Sequence, residues 1–575
     1  MEEKFQIKPC GKYESFFRII DEFWLTPHQR RVAHRICTVM RKFGAESIVV
    51  EGITASSEEA TRMKVEQEAI KRRLGAGTTF KVYKLTFLDE TLNPQITEVE
   101  LHAASERGCV LGYVVVVNVI SEKGPIRNYV FESVIRELGC RLSVGERNSW
   151  QPLNGHYLHV KRKFKCWLVG KDFPLEGSFF AQQNGITSVC AHACLVMMLN
   201  NVTKTGEIVS SEDINKFLGI NHSTTKFRVD LPGAGADNNN ASHVGLTAQD
   251  VKDVVEKYGY EFHLRDFQGL KRPKFREFIY GFIESSFPAL LSFRTGTNAH
   301  VVAAAGHTLN SNSWLPLALK TYAQTNDQRA LLQPSQKSYL SSLAWVDDFL
   351  VHDDNVGMQL SFPAHAFHDV DHYAEDITFT PSYAVGIFPK AYNVQILAHQ
   401  AERCAAEYLA HLAARIDHPI HARNYYLEHL LTHFAQRRQT VVLRTSLVSR
   451  EDYMQHLRLG DNHENLLKNH TIELVEEHLL SGQLFWLVEV SEPDLYVGNK
   501  AKVMDVLIDP SFIPPSGSEE RPTAAWYMCI RALKFPELFL ARKAQTSQFD
   551  TIELETKVHC TLYGLCFNEN PAAIW

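Results

Sequence analysis

The sequence predicts an α+β fold: a central core flanked by two further α/β or α+β regions. Three observations predict it. Between residues 190 and 258 apolar residues recur at helical spacing behind capping residues, and from 288 to 354 the pattern turns to short apolar, β-branched runs. On both sides of that unit, helix and strand signals are mixed. A chain of 575 residues is also too long for one hydrophobic core, and the changes of texture divide it into residues 1–165, 166–390 and 391–575.

In the first region a helical stretch opens at Thr26-Pro27-His28 and runs to about residue 43. A second covers 56–74, with Ser57 as its cap and Glu58-Glu59 in the first turn, where carboxylates meet the positive end of the helix dipole. Gly75-Ala76-Gly77 lacks the Gly-Lys-Ser/Thr of a phosphate loop and reads as a helix end and turn. VLGYVVVVNVI at 110–120 is β-branched for most of its length, which predicts a buried strand.

The middle region predicts three helices: 190–200 capped by Thr187 or Ser188, 212–218 capped by Ser211, and 250–258 capped by Thr247 and stopped by Gly259. Strands follow at 288–293 (PALLSF), 300–307 (HVVAAAGH) and 345–354 (WVDDFLVHDD). Farther on come a strand near 382–388, a helix over 392–416, strands at 484–490 (LFWLVEV) and 503–509 (VMDVLID), and a loop over 510–522. Trp345 and Trp486 are read as core residues.

Bulk properties exclude several function classes. A net charge of −6 offers no basic field for nucleic acid or anionic lipid, and the runs Lys71-Arg72-Arg73 and Lys161-Arg162-Lys163 read as solvated faces. The N-terminus lacks the basic and apolar segments of a signal peptide, and no apolar run approaches eighteen residues. Eleven cysteines, an odd number without Cys-x-x-Cys spacing, predict reduced thiols and a cytoplasmic location. The sequons at Asn221 and Asn240 are then accidental.

Chemistry concentrates in FAQQNGITSVCAHACLVMML, residues 180–199. Cys190 sits in the first turn of its helix, where unpaired backbone N–H groups act as roughly half a positive charge and favour thiolate over thiol. Cys194, one turn on, is read as a small core residue. A thiolate nucleophile needs a proton shuttle, and His300 opens an apolar strand. The imidazole needs an orienting acceptor: Asp353 ends the next apolar strand, with Asp354 and Asn355 as adjacent competitors. Gln183 could offer its amide to an oxyanion beside the Cys190 backbone N–H.

The succession Gln, Cys-x-x-Ala, Pro-Ala-Leu-Leu-x-Phe and His-Val-Val-x-x-x-Gly-His resembles the papain-like cysteine peptidase superfamily, and within it the bacterial double-glycine leader peptidases. GLTAQDVKDVVEKYGY resembles the helix that this branch sets between nucleophile and histidine. The likeness covers about 180–390. It implies a helical subdomain carrying the cysteine, an antiparallel β-sheet subdomain carrying histidine and aspartate, and a cleft for an extended peptide. It assigns Cys190 as nucleophile, His300 as base, Asp353 as orienting acid and Gln183 as oxyanion donor.

Three positions depart from the pattern. Ala191-His192 stands where Gly-Pro is usual, and Gln183 is one residue farther from the cysteine, which leaves Gln182 and Asn184 open. An insertion over 308–344 separates the histidine and aspartate strands. The expectation is a hydrolase of amide bonds, a peptidase or isopeptidase working through a thioester, with no cofactor and no metal. Its partners would be a peptide or protein substrate, with a further protein partner through the flanking regions, and neither nucleic acid nor membrane. The alternative is a catalytically silent papain-like binding module.

Among rival histidines, His192 lies two positions from Cys190 and so on a different helix face, while His307 follows Gly306 at a strand end and reads as a loop residue. The stretch 365–372 is dense in possible ligands without an established metal spacing. His429 and His433 share a helical face but lack the Glu of His-Glu-x-x-His.

Overall fold

The computed structural model describes residues 5–203 with short breaks, 208–220, 245–270, 275–295, 298–309, 339–364, 379–414, 442–459, 484–491 and shorter segments from there to 566. The fold is mixed α+β, built on three sheets whose pairings are antiparallel with one exception. In the first region β1 (Phe5–Pro9), β2 (Ser47–Gly52), β3 (Thr79–Leu88), β4 (Val110–Ser121) and β5 (Gly124–Ile135) pair in that order. α1 (Tyr13–Phe23), α2 (Arg30–Lys42), α3 (Glu58–Leu74) and α4 (Glu98–Glu106) connect them. β4 is buried from Val110 to Val119, so both of its faces are covered, as its unbroken β-branched run requires. Ser57, the expected cap of α3, lies outside the described residues.

β6 (Gly139–Val144) and β7 (Arg147–Pro152) form a separate hairpin, and β8 (His156–Leu158) crosses to the central sheet. β9 (Arg162–Leu168) and β10 (Lys171–Phe180) return to the first sheet, with β10 pairing to β5 through Ser178–Phe180. The first sheet thus takes in strands beyond residue 165. Its last strand hands the chain directly to the segment before Cys190.

The central unit begins with α5 (Cys190–Val202), α6 (Ser211–Phe217) and α7 (Ala248–Lys257). Thr247 caps α7 in a reciprocal box with Asp250, as its sequence implies. α6 starts one residue earlier than expected, because Ser210 rather than Ser211 accepts the Asp213 N–H. β11 (Tyr260–Asp266), α8 (Phe275–Glu284), β12 (Ala289–Thr295) and β13 (Asn298–Thr308) follow. β14 (Leu340–Ser341) leaves for the third sheet, and β15 (Asp348–Asp353), β16 (Gly357–Pro363) and β17 (Phe379–Pro389) return to the central one. The central order is β11-β17-β12-β13-β15-β16, with β8 against the far end of β13.

The third sheet pairs β14 in parallel with β18 (Val442–Ser449), then β19 (Leu484–Ser491). Past the short β20 (Ala501–Lys502), it continues through β21 (Met504–Ile508), β22 (Trp526–Ile530), β23 (Leu538–Arg542) and β24 (Phe549–Glu553). α9 (Ala398–Ala414) begins later than the expected 392, since Lys390–Tyr392 forms a 3-10 turn that Asn393 ends in the left-handed region at φ 46°. The expected loop over 510–522 lies mostly outside the described residues.

The central sheet separates two cores. Leu290, Ala303, Val385 and Ile387 face the core shared with α5–α7 and the first sheet. Leu291, Val302, Ala304, Ala384 and Phe388 face the core shared with α8 and the third sheet. That split follows the two-residue period of a strand. Trp345 and Trp486 are fully buried. Among the described residues no helix is long and apolar enough to cross a membrane.

Candidate active site

The chain between β10 and α5 is shaped by its amides. Asn184 Oδ1 accepts the backbone N–H groups of Ile186, Thr187 and Ser188 at 2.8, 2.8 and 3.2 Å. Its Nδ2 donates to Thr187 Oγ1 at 2.8 Å. Gly185 takes φ +67°, and a Cβ there would collide with the Arg127 guanidinium. Gln182 is tied to β5, its N–H donating to Val130 O and its Oε1 accepting from Val130 N. With Gln182 and Asn184 both engaged in building the turn, Gln183 is the half-buried amide of the three.

Cys190 is the first helical residue, and the N-cap is Val189 rather than Thr187 or Ser188. The Ser188 hydroxyl turns back to accept the Asn184 N–H at 3.1 Å, so it cannot cap. His192 takes over, with Nδ1 accepting the Val189 N–H at 3.4 Å. His192 Nε2 then donates to Asn215 Oδ1 at 2.9 Å, and Asn215 Nδ2 donates to Thr187 O at 3.1 Å. Fully buried His192 is therefore a brace for the helix start.

β13 and β15 bring the partners. His300 Nε2 lies 3.1 Å from Asp353 Oδ1 and 3.9 Å from Asp354 Oδ1. The nearer approach is that of an ion pair rather than of an aligned hydrogen bond. The Cys190 side chain is near enough to act on the His300 ring. Burial by itself would lower the His300 pKa; the Asp353 and Cys190 contacts, with the charges of Asp353 and Asp354, outweigh it and raise the value from 6.5 to about 11. The ring is held as imidazolium.

Asp353 is itself fixed, its Oδ1 accepting the Asn355 N–H at 2.8 Å. Asn355 Oδ1 accepts from Gln183 Nε2 at 3.2 Å, so the side chain of this third candidate is engaged with the glutamine. Asp354 is fully buried, and neither of its carboxylate oxygens has an aligned hydrogen-bond partner among the described residues. Burial pushes its carboxyl up to about 7, against the lowering influence of His300. Cys194 is buried, its thiol 3.2 Å from Val301 O, and burial followed by the nearby Asp354 pushes its pKa well above 9.

Cys190, His300, Asp353 and Gln183 are thus linked, directly or through Asn355, although they come from three parts of the chain. Sequence reading missed the roles of Arg127, Asn184 and Asn355. For Asn184 a signal existed: Asn184-Gly185 is a turn-forming pair whose asparagine side chain bonds nearby backbone. His307, expected in a loop, is instead a buried residue of β13, because β8 pairs with that end of the strand. The stretch 365–372 and His429 and His433 lie outside the described residues. Among the described residues, His300, Asp353 and Asp354 form one of three groups with metal-compatible spacing; the others are Asp89, Glu90 and Cys109, and His159, Glu284 and His307. No family model, curated protein or solved structure matches this chain.

Proposed function

We propose that this chain is a papain-like cysteine hydrolase of amide bonds, a peptidase or isopeptidase, with Cys190 as nucleophile. One observation carries the reading: the His300 imidazole lies 3.1 Å from the fixed Asp353 carboxylate on one side, and the Cys190 side chain is near enough to help raise the ring's pKa. A helix bearing the cysteine packed on a sheet bearing the histidine and aspartate suits a papain-like core.

The chemistry follows from the held proton. The Cys190 sulfur attacks the amide carbonyl as thiolate, and the oxyanion is met by the Cys190 backbone N–H at the start of α5 and by the Gln183 amide. His300 gives its proton to the leaving amine, and the C–N bond breaks to leave a thioester. Neutral His300 then draws a proton from water as the water attacks, and the thiolate leaves. An amine in place of water would make the same site a transferase.

The rival, a silent binding module, is favoured by the contact that engages the Gln183 amide with Asn355. An electrophilic thiol probe separates the two. The enzyme reading expects fast labelling that the Cys190→Ala substitution abolishes. Equal labelling of both proteins at the rate of an ordinary thiol ends it.

A further inference from the structure

Away from Cys190, three buried side chains bring lone pairs to one point. His307 lies near the end of β13, His159 follows β8, which pairs with that end, and Glu284 closes α8. His159 Nε2 and His307 Nε2 are 3.0 Å apart, and Glu284 Oε1 is 3.0 Å from His307 Nε2. All three ligand atoms fall within 4.8 Å of one another. His307 Nδ1 is 3.0 Å from Thr308 O and donates to it, so in the neutral ring Nε2 carries a lone pair. That lone pair can accept the His159 Nε2–H or, together with a His159 Nε2 lone pair and Glu284 Oε1, meet one shared cation.

The surroundings hold these groups in place. Tyr280 Oη donates to Glu284 Oε1 at 2.6 Å and pairs with Ser342 Oγ at 2.6 Å. Arg444 Nη2 donates to Glu284 Oε2 at 3.1 Å, while its Nη1 meets Glu489 at 2.7 Å, which supplies a second negative charge beside the guanidinium. A backbone carbonyl on the remote nitrogen of a ligating histidine, and hydrogen bonds to a ligating carboxylate, are the usual outer partners of a metal site.

We propose that His159, His307 and Glu284 bind one divalent transition-metal ion, with Zn²⁺ the best match to two imidazoles and a carboxylate. Bonds of about 2.0–2.2 Å put tetrahedral ligand atoms about 3.4 Å apart, so the two 3.0 Å spacings to His307 need to open by only a few tenths of an ångström. The buried position suits a closed, structural ion that ties β8, β13 and α8 together next to the third sheet. His307 is seven residues along β13 from His300, roughly 23 Å at the rise of a strand, which keeps the ion out of the cysteine chemistry.

The test uses the full chain, loaded with Zn²⁺ and dialysed, with metal measured by elemental analysis and the thermal midpoint read before and after chelation. About one Zn²⁺ per chain is expected, with a midpoint that falls on chelation and recovers on reloading. Glu284→Gln should weaken Zn²⁺ binding at least about tenfold, whereas the triple change His365→Ala, His368→Ala, His372→Ala should leave it intact. If Glu284→Gln does not fold, X-ray absorption on the zinc-loaded wild-type chain decides, with two imidazoles and oxygen ligands expected. Sub-stoichiometric zinc in the loaded wild type would mean that a proton alone closes the network, and zinc lost only with the triple change would place the ion elsewhere; either result overturns the proposal.

Discussion

Asp353 and Asp354 are neighbours in sequence with opposite environments, and their roles part accordingly. Asp353 is fixed by the Asn355 N–H and meets the imidazole, while Asp354 sits in full burial without an aligned partner. Asp353 raises the His300 pKa, so Asp353→Asn should drop it from about 11 toward the ordinary 6.5. The alkaline limb of amide hydrolysis, where His300 loses the proton it gives to the leaving amine, then moves to lower pH, and hydrolysis falls by about a hundred- to ten-thousand-fold. Asp354→Asn should act on stability instead. Its carboxyl has a folded pKa raised from 3.8 to about 7, so the stability it contributes is present below pH 3.8 and lost as pH rises through about 7. The asparagine variant should therefore gain stability above neutrality, on the order of 4 kcal/mol at most, and little in acid. Urea unfolding of both variants at the two pH extremes checks this, and a pH-independent difference for Asp354→Asn counts against it.

At the level of elements, the start of α5 depends on a turn organised by one amide. Asn184→Ala removes the acceptor of three buried N–H groups, which should cost on the order of 3 kcal/mol and slow probe capture at Cys190 by loosening its position. Denaturant unfolding and labelling rates read the two effects separately; a stable variant that labels at the wild-type rate would show that the turn does not position the thiol. Sequence made the helix legible and misread its cap. Thr187 and Ser188 are good N-cap types, but both were already engaged by Asn184, and no propensity scale registers that competition. The strands carrying His300 and Asp353 were legible for a simpler reason, since their apolar runs must be buried wherever they pair. Gly306 was not: a Cβ there would collide with the Tyr157 carbonyl, a contact that exists only once β8 has crossed over.

Across the whole molecule, two arginines, half-buried Arg35 and buried Arg444, sit where parts of the chain far apart in sequence meet. Arg35 on α2 donates its Nε to the Met358 carbonyl at 3.0 Å and also reaches the Gln359 carbonyl, joining the first region to the central sheet at β16. Arg444 on β18 joins the third sheet to α8 through Glu284. Arg444→Met would leave two carboxylates buried beside an apolar side chain. A loss of about 3–5 kcal/mol is expected by urea unfolding, partly relieved in acid where the carboxylates can protonate. A loss below about 1 kcal/mol would mean that the junction is not held by this pair.

The sequence by itself determined what depends on neighbours in the chain: an α+β plan, a cysteine in the first turn of a helix, a histidine and an aspartate on separate apolar strands. Spacing alone carries those, because helix and strand periods are local. Tertiary structure decided which carboxylate meets His300, because that depends on the β13–β15 register and on the shift in it between Ala304 and Gly306. It also decided that Gln183 rather than its neighbours remains the half-buried amide, and that His307 is enclosed with His159 and Glu284. Register and crossover are set by residues far apart in the chain, and a two-residue period leaves both undetermined until the sheets close.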